Sequence, residues 1–231
     1  MGKTIGIIGG MGPLATCDLM EKIIGHTRAR RDQEYIHLYV DCNTNIPDRT
    51  EAILHHGQSP VPELVKSAVR LQTMGADVLV MPCNTAHYFY EQIVPYVDIP
   101  LLHMPQEAAA CLHAQGIRRA ALLATDGTVR SGVYGKVLAE AGIEVIYPTA
   151  EEQKLVMGLI YDCIKVGRPC PYGEEIRRLA KRLWARGAEV LLLACTELPI
   201  AFADLGIAEG TADPAEILAQ AAVRRVGAAV C

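Results

Sequence analysis

The sequence predicts an α/β protein of two similar lobes. Each lobe is a mainly parallel sheet flanked by helices, and a pseudo-twofold axis relates them with a site in between. Three observations carry this expectation. Short, continuously apolar runs alternate with helical patterns along the chain, as strands covered on both faces and their crossover helices do. Glycines (Gly75, Gly116, Gly142, Gly167, Gly187) fall just past the helical runs, where helices terminate. A segment of the first half also recurs in the second.

The elements follow in order. Thr4–Ile8 reads as a strand, ending in the glycine-rich turn "GGMGP" and leading into a helical pattern over Pro13–Arg30. A second strand is expected at Ile36–Val40, a helix at Pro62–Met74 and a third strand at Val78–Met81. The chain then divides near Pro100–Pro105. The second half repeats the plan, with strands at Ala120–Ala124, Glu144–Tyr147 and Val190–Ala194. Its helices are expected at Gln106–Gln115, Ser131–Ala141, Glu151–Val166 and Glu174–Arg186. Its first strand ends in another glycine- and threonine-rich turn, "TDGTV". The segment 213–230 reads as a final helix, with Asp213 as N-cap and Pro214 in the first turn. The expected lobes are 1–102 together with 210–231, and 103–209.

The internal match is specific. "GADVLVMPCNTA" (75–86) aligns with "GAEVLLLACTEL" (187–198) at one offset of 112 residues. Gly75 falls on Gly187, Asp77 on Glu189, Val78 on Val190, and Cys83 on Cys195. Both segments are the third strand of their half. Ligands of parallel α/β sheets bind beyond the carboxyl ends of the strands, and both cysteines sit there.

Composition narrows the functional classes. Of the 231 residues, 51% are apolar and 21% charged, and the formal net charge is −4. No basic surplus is available to neutralise phosphates, which argues against nucleic acid or an anionic membrane as partner. No apolar run approaches the roughly 18 residues needed to span a bilayer. The start "MGKTIGIIGG" lacks a signal-peptide pattern, so a cytoplasmic location is expected. The eight cysteines include no C-x-x-C pair, which disfavours a zinc ribbon or a thioredoxin-like site. Cys17, Cys42, Cys111, Cys163 and Cys170 are expected to be inert core thiols, and Cys231 is a chain end.

Two matched cysteines could form a disulfide, bind a metal or move protons. Cys83 and His87 stand at i, i+4, but Thr196 and Glu197 follow Cys195 and supply no histidine, so a metal set is not suggested. A free thiol has a pKa of about 8.5, and a helix start would lower it. Helices beginning near Ala86 and Leu198 are placed to do so. A symmetric acid/base pair suits a symmetric reaction. Racemisation removes the Cα proton from one face of an amino acid and returns one to the other. Asn84, Thr85, Thr196 and backbone N–H groups could stabilise the charge that grows on the α-carboxylate.

At these residues the sequence resembles the cofactor-independent aspartate/glutamate racemase family. The segments that carry the resemblance are "IGIIGGMGPLAT" (5–16), "NIPDRTEAIL" (45–54), "PCNTAH" (82–87), "IYDCIKVG" (160–167) and "CTEL" (195–198). The aspartate branch fits better than bacterial glutamate racemase, which opens with an Asp-Ser-Gly turn and carries Cys-Thr-His in the second motif. The resemblance implies an isomerase that uses neither pyridoxal phosphate nor a metal, with an amino-acid substrate and usually a homodimer. Carried over by position, Cys83 and Cys195 would be the two bases. Asn84, Thr85 and Thr196 would hold the α-carboxylate or amino group, with Glu197 orienting the ammonium or a neighbour. Arg49 and Lys165 would bind carboxylates, and Met11 and Gly12 would line the mouth. The family usually has glycine where this chain has Ala194, a change that could narrow the pocket. His87 and Tyr88 are open between substrate contact and packing.

Other readings remain at this level. Substrate preference could run to glutamate or be broad. Hydantoin racemases and maleate isomerases share the two-lobed plan. "GMGPLA" (10–15) also satisfies a dinucleotide fingerprint, with Asp41 as a ribose-binding acid, but Pro13 interrupts it and the cysteine match is left unexplained.

Overall fold

The apolar runs become strands because they can be covered on both faces. The computed structural model describes residues 3–168 and 171–230; Cys170 and Cys231 lie outside them. In the first half β1 (Ile5–Gly9) is followed by α1 (Pro13–His26), β2 (Leu38–Cys42), α2 (Arg49–Leu54), α3 (Val61–Thr73) and β3 (Val78–Val80). A 3₁₀ turn at Thr85–Phe89 and the short α4 (Tyr90–Ile93) lead out of it. The second half runs α5 (Met104–Ala114), β4 (Arg119–Ala124), α6 (Asp126–Ser131), α7 (Val133–Glu140), β5 (Glu144–Ile146) and α8 (Ala150–Gly158). A π-helical turn at Leu159–Ile164 follows, then α9 (Gly173–Ala185), β6 (Val190–Ala194), α10 (Leu198–Asp204), β7 (Thr211–Ala212) and α11 (Pro214–Arg225).

The sheets are ordered β2-β1-β3 and β5-β4-β6-β7, and all named pairings are parallel. Each half thus places its first strand centrally, with its second and third strands on either side. This is the structural counterpart of the sequence match, and it puts Cys83 and Cys195 at equivalent points. The central strands β1 and β6 are buried at every residue, whereas the edge strand β2 is half-exposed.

Alternate residues of each strand serve opposite faces, as the period of two requires. In the first sheet Ile8, Leu79 and Met81 pack against Leu64 and Leu71 of α3. Ile5, Ile7, Val78 and Val80 pack against Leu19 and Ile23 of α1 and Leu218, Ala222 and Val223 of α11. In the second, Leu123, Leu191 and Leu193 meet Ile176, Leu179 and Leu183 of α9. Leu122 and Leu192 meet Leu112 of α5 and Tyr134 and Leu138 of α7. Each fully buried large aliphatic side chain contributes about 1.5–3 kcal/mol.

Several elements differ from the sequence expectation. The helix expected over Pro13–Arg30 stops at His26, where the Thr27 hydroxyl donates to the Ile23 carbonyl and Thr27 bridges to Val230. The helix expected over Ser131–Ala141 breaks at Gly132, whose φ of 68° is left-handed. Glu151–Val166 divides at Gly158 into α8 and the wider π turn. Helix α2 was not expected, although the Asp48 side chain caps it by accepting from the Glu51 N–H at 2.9 Å. At α11 the Asp213 cap forms as expected, to the Ala215 N–H at 2.8 Å.

The cysteine expectation is corrected in part. Cys163 is buried, but Cys17 and Cys42 are exposed and Cys111 is half-buried. Cys17 faces outward on α1 and Cys42 ends the edge strand, where no layer covers it.

Candidate active site

The carboxyl ends of β1, β3, β4 and β6 all open into one narrow cleft. Its lining includes Met11, Arg49, Cys83, Asn84, Thr85, Lys165, Cys195, Thr196 and Glu197. These are the residues the sequence singled out, with one exception. Gly12 is not part of the lining. It is the N-cap of α1, and its carbonyl accepts from the Thr16 N–H and hydroxyl. The turn that brings Met11 in depends on Gly10, whose φ is +92° and whose missing Cβ would lie 2.4 Å from the Asn43 backbone.

Cys83 is 7% exposed and leads directly into the 3₁₀ turn. Its backbone is clamped from behind by His87, whose Nδ1 lies 2.9 Å from the Cys83 carbonyl oxygen and whose Nε2 accepts from the Met104 N–H at 3.1 Å. Burial, reinforced by His103, pushes the His87 pKa down to about 3. The imidazole is therefore neutral, and the two partners fix its tautomer, with the proton on Nδ1. His87 thus packs behind Cys83, tying it to the start of α5, and does not line the cleft. Tyr88 is 46% exposed and also lies outside it.

Beside Cys83 stands Arg49, the first residue of α2 and only 8% exposed. Its Nη1 donates to the Ile46 and Pro47 carbonyls at 3.3 and 2.9 Å. It forms no ion pair among the described residues. Burial opposes its charge, but Cys83, followed by Asp48, outweighs that and holds the guanidinium above its ordinary range. Arg49 Nε and Asn84 Nδ2 are buried donors with no hydrogen-bond partner among the described residues.

Cys195, also 7% exposed, has different company. Its thiol donates to Glu197 Oε2 at 2.9 Å, and the Thr196 hydroxyl donates to the same oxygen at 3.2 Å. Lys165 Nζ lies 3.8 Å from the other oxygen, Oε1, and 4.8 Å from the centroid of the Tyr161 ring. Burial, then the Glu197 charge and hydrogen bond, push the Cys195 thiol well above its ordinary pKa, with Lys165 opposing. This corrects the expectation that a helix start would lower it. Helix α10 begins three residues further on, and the adjacent carboxylate and desolvation prevail. Lys165 stays charged: burial works against it, but Glu197 and then Cys195 raise its pKa.

The two halves meet through hydroxyls. The Oγ1 atoms of Thr85, Thr125 and Thr128 form a closed ring with separations of 3.1, 2.8 and 3.1 Å. Gly127 lets α6 approach this close, since a Cβ there would lie 2.7 Å from Thr50 Oγ1. Ala194 does not narrow the cleft. Its side chain packs with Leu122, Tyr134 and Leu192 on the other face of β6.

Sequence reasoning missed Asp48, Thr50, Thr125 and Tyr161 in the lining. Signals existed for all four. Asp48 and Thr50 flank Arg49, Thr125 opens the turn that matches "GGMGP", and Tyr161 precedes Lys165 by four. Among the described residues no group of three or more His, Cys, Asp or Glu side chains could hold a metal ion. No helix among them is long and apolar enough to cross a membrane.

Comparison with known proteins agrees with the geometry. Residues 8–222 match the model of the family described as Asp/Glu/Hydantoin racemase. The chain is similar to the aspartate racemase of Picrophilus torridus, with 32% identity and a TM-score of 0.86 over 100% of this chain and 96% of that one. It is similar to an aspartate racemase homologue from Pyrococcus horikoshii OT3, at 27% identity and TM-score 0.80, covering 97% and 99% of the two chains. It is also similar to the broad specificity amino-acid racemase RacX of Bacillus subtilis (strain 168). That match is 29% identical over 199 residues, 84% of this chain and 85% of the relative. By sequence, fold and cleft, the chain belongs to the Asp/Glu/hydantoin racemase family and is a cofactor-independent amino-acid isomerase of its Asp/Glu racemase kind.

Proposed function

We propose that the protein interconverts L- and D-aspartate by a two-base mechanism. The observation that carries this reading is the placement of Cys83 and Cys195 at the ends of equivalent strands, facing one cleft with opposite neighbours. A thiolate at one cysteine takes the Cα proton, and the thiol at the other delivers a proton to the opposite face. The two roles exchange for the reverse direction. Glu197 keeps Cys195 in the thiol form, ready to donate. Cys83, beside the Arg49 guanidinium, is then the partner that takes the Cα proton.

The intermediate is a carbanion whose charge spreads into the α-carboxylate, so donors aimed at that group lower the barrier. Arg49 Nε and Asn84 Nδ2 are such donors, already buried and without a partner among the described residues. Thr85 and Thr196 add hydroxyls. Lys165, paired with Glu197, is a second cation for the side-chain carboxylate, and Glu197 can accept from the substrate ammonium. Two cations suit a dicarboxylic amino acid. The aspartate assignment is supported by the 32% identity to an aspartate racemase. A broader range is the second reading, favoured by the similarity to RacX. Within the proposal the enzyme acts as a cytoplasmic homodimer, which sedimentation would test.

The lobe division, 1–102 with 210–231 against 103–209, belongs to the same proposal. The packing of α11 on β1 and β3 supports it, while α5 contributes Met104 to one core and Leu112 to the other.

Incubating each enantiomer of aspartate and glutamate in D₂O tests the function. Inversion with α-deuterium incorporation is expected for aspartate. It should fall by about 10²–10⁴-fold in Cys83→Ser and in Cys195→Ser. No exchange with either acid would exclude the substrate class, and full activity in both variants would exclude the two-base mechanism.

A further inference from the structure

Tyr134 lies in α7, in the second half of the chain, and is completely buried. Its ring fills the core between β4, β6 and α5, but its hydroxyl reaches into the first half. There it donates to Asn84 Oδ1 at 2.5 Å. Asn84 is itself 3% exposed, and the other end of its amide, Nδ2, has no hydrogen-bond partner among the described residues.

An asparagine amide can sit in its site either way round, because its oxygen and nitrogen are nearly the same size. Which way it sits depends on its neighbours. A phenol is a strong donor, and a carbonyl oxygen is the end of the amide that accepts. Burial, followed by the charges of Asp213 and Cys195, pushes the Tyr134 hydroxyl well above its ordinary pKa, so it remains protonated throughout the working range. The reversed amide would aim an NH₂ at that hydroxyl and present an acceptor to the cleft. An acceptor there would repel a substrate carboxylate.

We infer that Tyr134 is a positioning residue, which locks the Asn84 amide so that Nδ2 faces the reacting α-carboxylate. The inference rests on the proposed role of Asn84 as a carboxylate donor. It also assigns to the second half a part in setting a group that belongs to the first.

The test is a double-mutant cycle with Asn84→Ala, Tyr134→Phe and the double variant. Substrate affinity, kcat and thermal midpoint are measured for each. Asn84→Ala is expected to lower kcat/KM by about 10²-fold, the loss typical of one charge-stabilising donor. Tyr134→Phe keeps the ring and should cost on the order of tenfold, mostly in kcat. In the Asn84→Ala background, Tyr134→Phe should have no further effect on kcat/KM. A merely structural tyrosine would lower the thermal midpoint equally in both backgrounds and leave the cycle additive. Additive losses, or an unimpaired Tyr134→Phe beside an impaired Asn84→Ala, would overturn the inference alone. An unimpaired Asn84→Ala would overturn the donor role of Asn84, and with it the role of Tyr134. Should Tyr134→Phe fold poorly, a ¹⁵N spectrum of the wild type with only asparagine labelled decides the matter. A single Asn84 side-chain nitrogen resonance, with its pair of inequivalent protons, that shifts on adding aspartate supports the lock. Two exchanging nitrogen resonances would refute it.

Discussion

The thiol of Cys195 is hydrogen-bonded to the carboxylate two residues along, Glu197, at 2.9 Å. At the equivalent position after Cys83 the chain has Thr85, and the nearby charge is the Arg49 guanidinium. Two halves with the same sheet order therefore offer two cysteines in opposite electrostatic settings. A pair meant to exchange a proton benefits from this, since one member must begin with the proton and the other without it.

The asymmetry should be visible to an alkylating reagent. With iodoacetamide near pH 7, Cys83 is expected to label faster than Cys195, because only thiolate reacts and Glu197 disfavours the thiolate of Cys195. Glu197→Gln removes the negative charge, so the thiolate of Cys195 becomes easier to form and its labelling should accelerate by roughly tenfold or more. Peptide mass spectrometry reads both rates. Unchanged labelling of Cys195 in the variant would show that burial alone holds the proton there.

Arg49 should not tolerate lysine. Its Nη1 is already committed to the Ile46 and Pro47 carbonyls, and its Nε, on the same rigid plane, is the unpaired donor. An ammonium cannot make both sets of bonds in those directions. Arg49→Lys is expected to lose about 1–3 kcal/mol of transition-state stabilisation, about five- to over a hundredfold in kcat/KM, with the charge conserved. Steady-state kinetics check this; near-wild-type activity would mean that charge alone is required.

Gly127 sets how closely the second half approaches the first. An added methyl would lie 2.7 Å from Thr50 Oγ1 and 3.1 Å from Thr85 Cγ2. Gly127→Ala should push α6 away from the 3₁₀ turn and open the ring of Thr85, Thr125 and Thr128. Overpacking of this kind typically costs about 1–3 kcal/mol of stability. A rise in KM should accompany it, since Thr85 and Thr125 both line the cleft. Chemical denaturation and kinetics measure the two effects; a loss of stability at wild-type KM would show that the hydroxyl ring does not hold the site.

How much of this was legible depends on how far each signal reaches along the chain. The strands and the Cys83/Cys195 pair were readable because apolar runs and the 112-residue offset are local or repeated patterns. Arg49 and Lys165 were readable only through motifs. Gly132 interrupts a helical pattern without any change in hydrophobic period, so the break between α6 and α7 was invisible. Tyr134 had no signal at all. On α7 it is one more apolar residue of a core-facing stripe, and its hydroxyl matters only because the fold carries it to Asn84, fifty residues away. The Cys195 pKa was misjudged for a related reason. Helix position can be read from sequence, but the rotamer that brings the Glu197 carboxylate onto the sulfur cannot.

His87 gives a prediction about stability and acid. In the folded protein its pKa is about 3, lowered by burial and by His103, whereas an unfolded histidine titrates near 6.5. Between those values the unfolded chain binds the proton that the folded one refuses. The contribution of neutral His87 is therefore complete above about pH 6.5 and declines as pH falls toward 3, by about 1.4 kcal/mol per pH unit. Protonation would place a donor at Nε2 against the Met104 N–H and break the clamp behind Cys83. Urea unfolding at pH 7 and pH 5 should show wild type losing about 2 kcal/mol more than His87→Gln over that interval, although the variant is the less stable protein at pH 7. Equal losses in the two proteins would mean that His87 takes up its proton without unfolding, and that the clamp is not what holds Cys83 in place.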